Sequence, residues 1–239
     1  MITKVVISAA GRGTRMKHLT KNKPKHMINV NGKPFLFYLI ENLKKAGLKE
    51  IIIVVGHQAE QIEEFAKTHP YPLTVVNQFA VLGEKEYGTA CPIKVVKDII
   101  SQENFVSVAG DNVYQIDDIK KFLREDNLNY LGCVETEHPE TKGVLLVDDD
   151  YYLKEIVEKP KKFVSNLVNA SLYKFTPEIF EAVEQVKLSP RGEYEITDAI
   201  TLLAKEHKVK VVHLEDYWLD FSKLSDIPKL SRFIKNNEG

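Results

Sequence analysis

Short apolar runs alternate with helix-period stretches through the first half of the chain. Val5-Val6-Ile7 reads as a buried strand. Pro34 suits the first turn of a helix whose apolar face would be Phe35, Leu36, Leu39, Ile40 and Leu43, with Gly47 as its C-terminal stop. Residues 51–55 predict a second buried strand, residues 60–67 a helix and residues 73–76 a third strand. Thr89 is placed to cap a helix with Pro92 in its first turn, running to about Ile100. Residues 105–109 predict the next strand, ending at Gly110-Asp111-Asn112. This alternation argues for an α/β fold with a mostly parallel central sheet and helices on both faces.

After about residue 127 the pattern changes. Residues 128–134, 143–147, 152–158 and 167–175 predict strands joined by turns, giving a smaller mixed-β half. Helices over 177–186 and 195–207, a strand over 209–214 and a last helix from about Ser225 complete the chain. With no repeat or linker, a single domain over 1–239 is expected, with halves of about 1–127 and 128–239.

Composition narrows the classes. A chain of 239 residues, 44% hydrophobic and 28% charged, has enough apolar surface for one full core. A net charge of −1 gives no reason to expect nucleic acid or a membrane surface as partner. The longest apolar runs are strand-length, and the first residues enter a strand pattern rather than a signal-peptide pattern. Two cysteines, Cys91 and Cys133, are too few for a disulfide framework, and the scattered histidines show no ligand spacing. A reducing cytoplasm is the default expectation.

The candidate chemistry starts where the first strand ends. Gly11-Arg12-Gly13-Thr14-Arg15 lets the backbone turn sharply, and successive N–H groups in such a turn form an anion-binding concavity. Arg15, Lys21, Lys23 and Lys25 make the stretch cationic, which suits a polyphosphate. It is not the dinucleotide fingerprint, because Met16 stands where the third glycine belongs, and no Gly-Lys-Ser/Thr occurs. Asp111 follows a buried strand, where open α/β sheets place ligands. Read alone, Gly-Asp-Asn is a turn. Asp148-Asp149-Asp150 reads as a hairpin turn.

Taken together, Gly11-Arg12-Gly13-Thr14-Arg15-Met16, then Pro24-Lys25 and Gly32-Lys33-Pro34, resemble the signature of the sugar-1-phosphate nucleotidylyltransferases, most of all the glucose-1-phosphate uridylyl- and thymidylyltransferases. The resemblance runs to about Asp220 and implies a Rossmann-like, GT-A-like nucleotidyltransferase fold. It implies that Ala10, Gly11, Gly13, Thr14 and Arg15 bind the nucleotide, with Gln78 reading the base and Gly88-Thr89 lying against it; Gly83 is a rival glycine. The segment between Gln78 and Gly88 is longer than the pattern leads one to expect. Gly143, Glu158, Lys159 and Asn169 match the sugar-phosphate set, and Asp111 and Asp220 match the carboxylates that hold Mg2+. After Asp220 the family's glycine-rich turn is replaced by Phe221-Ser222-Lys223. Arg191-Gly192-Glu193 opens another matching segment, with Glu193 a contributor to the site.

The implied reaction joins a nucleoside triphosphate, UTP or dTTP, to a sugar 1-phosphate, glucose 1-phosphate, releasing pyrophosphate, with Arg15, Lys25 and Asp111 as the catalytic residues. GTP–mannose-1-phosphate and CTP–phosphocholine enzymes share the fold and remain alternatives. A non-catalytic nucleotide-sugar-binding regulator is the alternative from another class. An end at Gly239 leaves no room for the β-helix of bifunctional relatives, so no acetyltransferase is expected. Homo-oligomer assembly is left open.

Overall fold

The computed structural model describes residues 1–11, 23–215, 218–221 and 223–237. Arg12, Gly13, Thr14 and Arg15, and with them Lys21, lie outside the described residues. In chain order the first half runs β1 (Lys4–Ser8), β2 (Asn29–Val30), β3 (Lys33–Pro34), α1 (Phe35–Ala46), β4 (Glu50–Val55), α2 (Glu60–Thr68), β5 (Leu73–Asn77), α3 (Gln78–Leu82), α4 (Cys91–Lys94), α5 (Lys97–Ile100), β6 (Phe105–Ala109), β7 (Asn112–Tyr114) and α6 (Ile116–Lys120). The second half runs β8 (Asn129–Glu135), β9 (Gly143–Val147), β10 (Leu153–Glu158), β11 (Leu167–Phe175), α7 (Glu178–Gln185), α8 (Ile196–Lys205), β12 (Val209–His213), β13 (Trp218–Asp220) and α9 (Ile227–Asn237).

Strands β6, β1, β4 and β5 form a parallel block, the part of the sheet that the alternating pattern predicted. Strands β1, β4 and β6 are mostly buried because both faces of the sheet are covered, whereas the edge strand β5 is only partly buried. Val5 and Ile7 of β1 pack with α1, α2 and α6, whereas Val6 packs with α4, α5, α7 and α8. Gly47 ends α1 in the left-handed region, φ 110°, and its N–H caps the Leu43 and Lys44 carbonyls.

The parallel block is joined to the second half through β11. The C-terminal part of β11 runs antiparallel to β6, from Leu172↔Val108 to Phe175↔Phe105. Its N-terminal part meets β9 at Val168↔Val144 and β8 on the other edge. Between Asn169 and Tyr173 the register with β8 slips, and Ser171 takes φ 56°. The bulge falls between the part of β11 that meets β9 and the part that meets β6.

Two local expectations change, and two elements are added. The helix expected from Thr89 to Ile100 is two short helices, α4 and α5, broken at Val95-Val96. Thr89 does not cap α4, whose N-cap is Ala90. The segment after Gln78 begins with a helix, α3, capped by the Asn77 carboxamide. Strand β13 pairs with β7 and so fixes the C-terminal segment beside the end of β6.

Candidate active site

The C-terminal ends of β1 and β6 border a cavity of about 200 Å3, lined among others by Ala10, Gly11, Lys25, Gln78, Gly88 and Asp111. Thr89, Ser171, Tyr173 and Glu193 also reach it. The described nucleotide-side residues expected from the sequence therefore converge on one space, placed as ligands are placed in open α/β sheets.

Lys25 sits on a single 3-10 turn, Lys25–Met27, started by Pro24, and donates to Asp111 Oδ2. Burial alone would raise the Asp111 pKa, but the charge and hydrogen bond of Lys25 outweigh it and hold the carboxyl below its usual value. Asp111 can be placed there because Gly110 has no side chain. A Cβ at Gly110 would lie 2.9 Å from the Ser8 carbonyl oxygen and 3.1 Å from His26 Cδ2.

His26 is a residue that the pattern did not mark. It is 1% exposed, lines the same cavity and has no partner for Nδ1. Burial, helped by the charge of Lys25, lowers its pKa to about 3, so the ring is neutral. Its only sequence signal was its place beside Lys25.

Gln78 is also 1% exposed, and neither Oε1 nor Nε2 of its amide has a hydrogen-bond partner. Phe79, the next residue, lies where a Cβ at Gly56 would approach within 3.2 Å, and Gly56 in turn abuts Ala10. Gly56, which the pattern also did not mark, lets the α3 turn close over the end of β1. Gly88 borders the cavity, but its need for glycine has a protein cause: at φ 145° a Cβ would overlap the Tyr194 backbone. The neighbouring backbone exchanges Tyr194 N–H to Tyr87 O and Ala90 N–H to Tyr194 O, both 2.9 Å. The Thr89 hydroxyl accepts from Ile196 N–H at 2.9 Å and donates to Glu195 Oε2 at 3.3 Å. Gly83, the rival glycine, ends α3 and does not border the cavity.

The residues expected on the sugar side form a second cluster. Gly143 and Glu158 are direct partners across β9 and β10. A Cβ at Gly143 would lie 3.2 Å from Glu158 Oε2 and 3.8 Å from Asn169 Cβ. Lys159 follows at φ 46°, with its Nζ 3.9 Å from Glu158 Oε1. Arg191 donates to Glu195 Oε1 at 2.6 Å and lies 3.3 Å from Glu158 Oε1. Asn169 joins the two clusters: its Oδ1 accepts from Ser171 N–H at 2.8 Å, and its Nδ2 donates to Tyr173 OH at 2.7 Å.

Asp220 stands opposite Asn112, and the Phe221 N–H donates to Asp111 O at 2.8 Å, so the two expected carboxylates leave neighbouring strand ends. Asn112 Oδ1, at the same place, is buried without a partner. Two carboxylates and an unpaired amide oxygen are the donor chemistry that a hard divalent cation takes. Lys142 donates to Asp220 Oδ2 at 2.9 Å. The Asp148 turn is a hairpin turn, with Asp148 Oδ1 accepting from Asp150 and Tyr152 N–H.

A nucleotidyl transferase family model matches residues 4–237. The bifunctional protein GlmU of Methanocaldococcus jannaschii is 38% identical over 230 residues, 96% of this chain and 53% of its own. The chain spans about half the length of this and the next curated relatives it matches, 53% to 56%. UTP–glucose-1-phosphate uridylyltransferase AglF of Haloferax volcanii is 34% identical over 229 residues, 92% of each chain. A crystal structure of UDP-glucose pyrophosphorylase complexed with UDP-glucose superposes with a TM-score of 0.86 at 23% identity, covering 99% of both chains. That likeness is one of fold. No helix among the described residues is long and apolar enough to cross a membrane.

Proposed function

Since the chain belongs to the nucleotidyl transferase family, we propose that it joins a nucleoside triphosphate to a sugar 1-phosphate and releases pyrophosphate. UTP or dTTP is the donor and glucose 1-phosphate the acceptor. The observation that carries this reading is the Gln78 amide, buried at the cavity with both polar atoms unpaired. Such a group costs free energy unless a ligand completes it. A side chain that donates and accepts at once suits the imide edge of uracil or thymine. The match to a uridylyltransferase over 92% of both chains supports the same choice.

In the reaction an oxygen of the sugar phosphate attacks the α-phosphorus. One P–O bond forms there, and the bond to the β-phosphate breaks, its electron pair leaving with pyrophosphate. The acceptor is already an anion near neutral pH, so no general base is required. Catalysis then rests on position and charge. Lys25 neutralises the α-phosphate and Lys159 the sugar phosphate, while Gly143, Glu158 and Asn169 seat the sugar. Arg15 and the backbone of residues 11–14 hold the β- and γ-phosphates. Asp111 and Asp220 would hold Mg2+, which supplies charge neutralisation at the phosphate oxygens.

The test is pyrophosphate release with Mg2+, over UTP, dTTP, CTP, GTP and ATP against several sugar 1-phosphates. Release confined to UTP or dTTP with glucose 1-phosphate is expected. Release only with another pair would overturn the substrate choice. Triphosphate binding with silence throughout would turn the reading towards a nucleotide-sugar-binding regulator.

A further inference from the structure

The two carboxylates assigned to Mg2+ are each held by a lysine. Lys25, which already has a proposed role at the α-phosphate, takes Asp111. Lys142, which has no role so far, takes Asp220. Its ammonium lies 2.9 Å from Asp220 Oδ2 and 4.6 Å from the centre of the Trp218 ring. The indole is fixed by its own N–H, which donates to Ala170 O at 3.1 Å. At its other end, Lys142 belongs to the sugar cluster. It precedes Gly143, and its carbonyl accepts from Lys159 N–H at 3.0 Å. One residue therefore spans the carboxylate and the sugar-phosphate side, on a flexible four-carbon stem that can swing between them.

We propose that Lys142 is a counter-ion that the divalent cation displaces: it neutralises Asp220 in the ligand-free protein, and once the cation takes Asp220 it turns to the phosphate of the sugar substrate. The physical reason is charge. A lysine and a cation cannot both occupy the same carboxylate oxygen, and an ammonium facing a new divalent charge is repelled. An anion on its own side is the phosphate assigned to Lys159, whose N–H donates to the Lys142 carbonyl. A partly exposed pair such as this one is weak enough to exchange, since pairs of this kind contribute little. Metal and sugar phosphate thereby become coupled, each favouring the other.

This inference rests on the metal assignment above, so the test separates the two. Mg2+ is titrated into the ligand-free protein by calorimetry, and the emission of Trp218, the only tryptophan of the chain, is followed alongside. Lys142→Met keeps the stem across the indole but removes the charge. It should tighten Mg2+ roughly twofold to fivefold, the scale of a partly exposed ion pair. It should also lose most of the emission change that accompanies Mg2+ binding in the wild type. In turnover it should raise the KM for the sugar 1-phosphate roughly tenfold, while Lys142→Arg keeps it within about threefold. A purely structural lysine would weaken Mg2+ binding or leave it unchanged, and either result overturns the proposal. An unchanged KM for the sugar phosphate overturns the destination of the ammonium. If wild type shows no Mg2+ binding that Asp220→Asn removes, the metal assignment itself has failed.

Discussion

The nucleotide-side and sugar-side clusters treat their polar groups in opposite ways. Around the nucleotide cavity, Gln78 Oε1 and Nε2 and His26 Nδ1 are buried without partners among the described residues. Around the sugar cluster the polar groups satisfy one another. Asn169 holds Ser171 and Tyr173, while Arg191 holds Glu195 and Glu158. Unpaired groups in a formed cavity give a ligand hydrogen bonds without breaking any, and they penalise a ligand that cannot complete them. A satisfied cluster must exchange partners when a ligand enters. On the proposed reading, the first side discriminates among bases, and the second is held in shape before its substrate arrives.

The largest effect is expected where the two sides meet the phosphates. Lys25→Ala should lower turnover by about 10²-fold or more, because a preplaced charge at the reacting phosphate is lost. Asp111→Asn and Asp220→Asn should each remove Mg2+-dependent activity. Steady-state rates over a Mg2+ series check both. If Lys25→Ala stays within about threefold of wild type, charge neutralisation at the α-phosphate does not belong to Lys25. Full activity in both Asp variants would remove the metal assignment.

The contrast itself is tested by one substitution on each side. Gln78→Leu removes an unpaired buried amide, so the folded protein should gain about 1 kcal/mol while triphosphate KM rises by about tenfold or more. Asn169→Leu removes paired groups and strands the Ser171 N–H and the Tyr173 hydroxyl. It should cost about 1–3 kcal/mol of stability and weaken the sugar phosphate. Denaturant unfolding and KM measurements together read the opposite signs. Equal destabilisation by both variants would mean that the Gln78 amide is satisfied in solution and the contrast does not hold.

The difference between the sides also explains what the sequence made legible. Strands such as β9 and β11 follow from apolar runs and turn residues, and their bounds agree with the pattern residue for residue. Helix α1 announces its start with Pro34 and its end with Gly47. What escaped the pattern depends on partners distant in sequence. Strand β13 is three residues long and exists because Trp218 and Asp220 find Tyr114 and Asn112 more than a hundred positions earlier. Thr89 looked like a helix cap because its type favours caps. In the fold its hydroxyl is spent on Ile196 instead. His26 and Lys142 carry no periodicity at all: a lone polar residue beside a motif is silent until the fold shows what it touches.

The smallest effect is a pH dependence that only the nucleotide side should show. His26 has its pKa lowered to about 3 by burial, against 6.5 for an exposed imidazole. The folded form therefore holds the ring neutral while the unfolded chain takes up a proton below about pH 6.5. A group with a depressed folded pKa contributes fully above the unfolded value, and its contribution falls as pH drops towards the folded one. Between pH 7.5 and 6.0 the loss from this one group is roughly 0.8 kcal/mol. Asp111, also held below its usual pKa, adds a loss of the same sign, but only at lower pH, where free carboxyl groups titrate. Urea unfolding of wild type and His26→Gln at both pH values isolates the histidine. The variant should lose less stability on acidification than wild type, by about that amount. Equal losses would mean that the ring gains its proton in the folded state as readily as in the unfolded one, and that the cavity is wetter around His26 than its 1% exposure indicates.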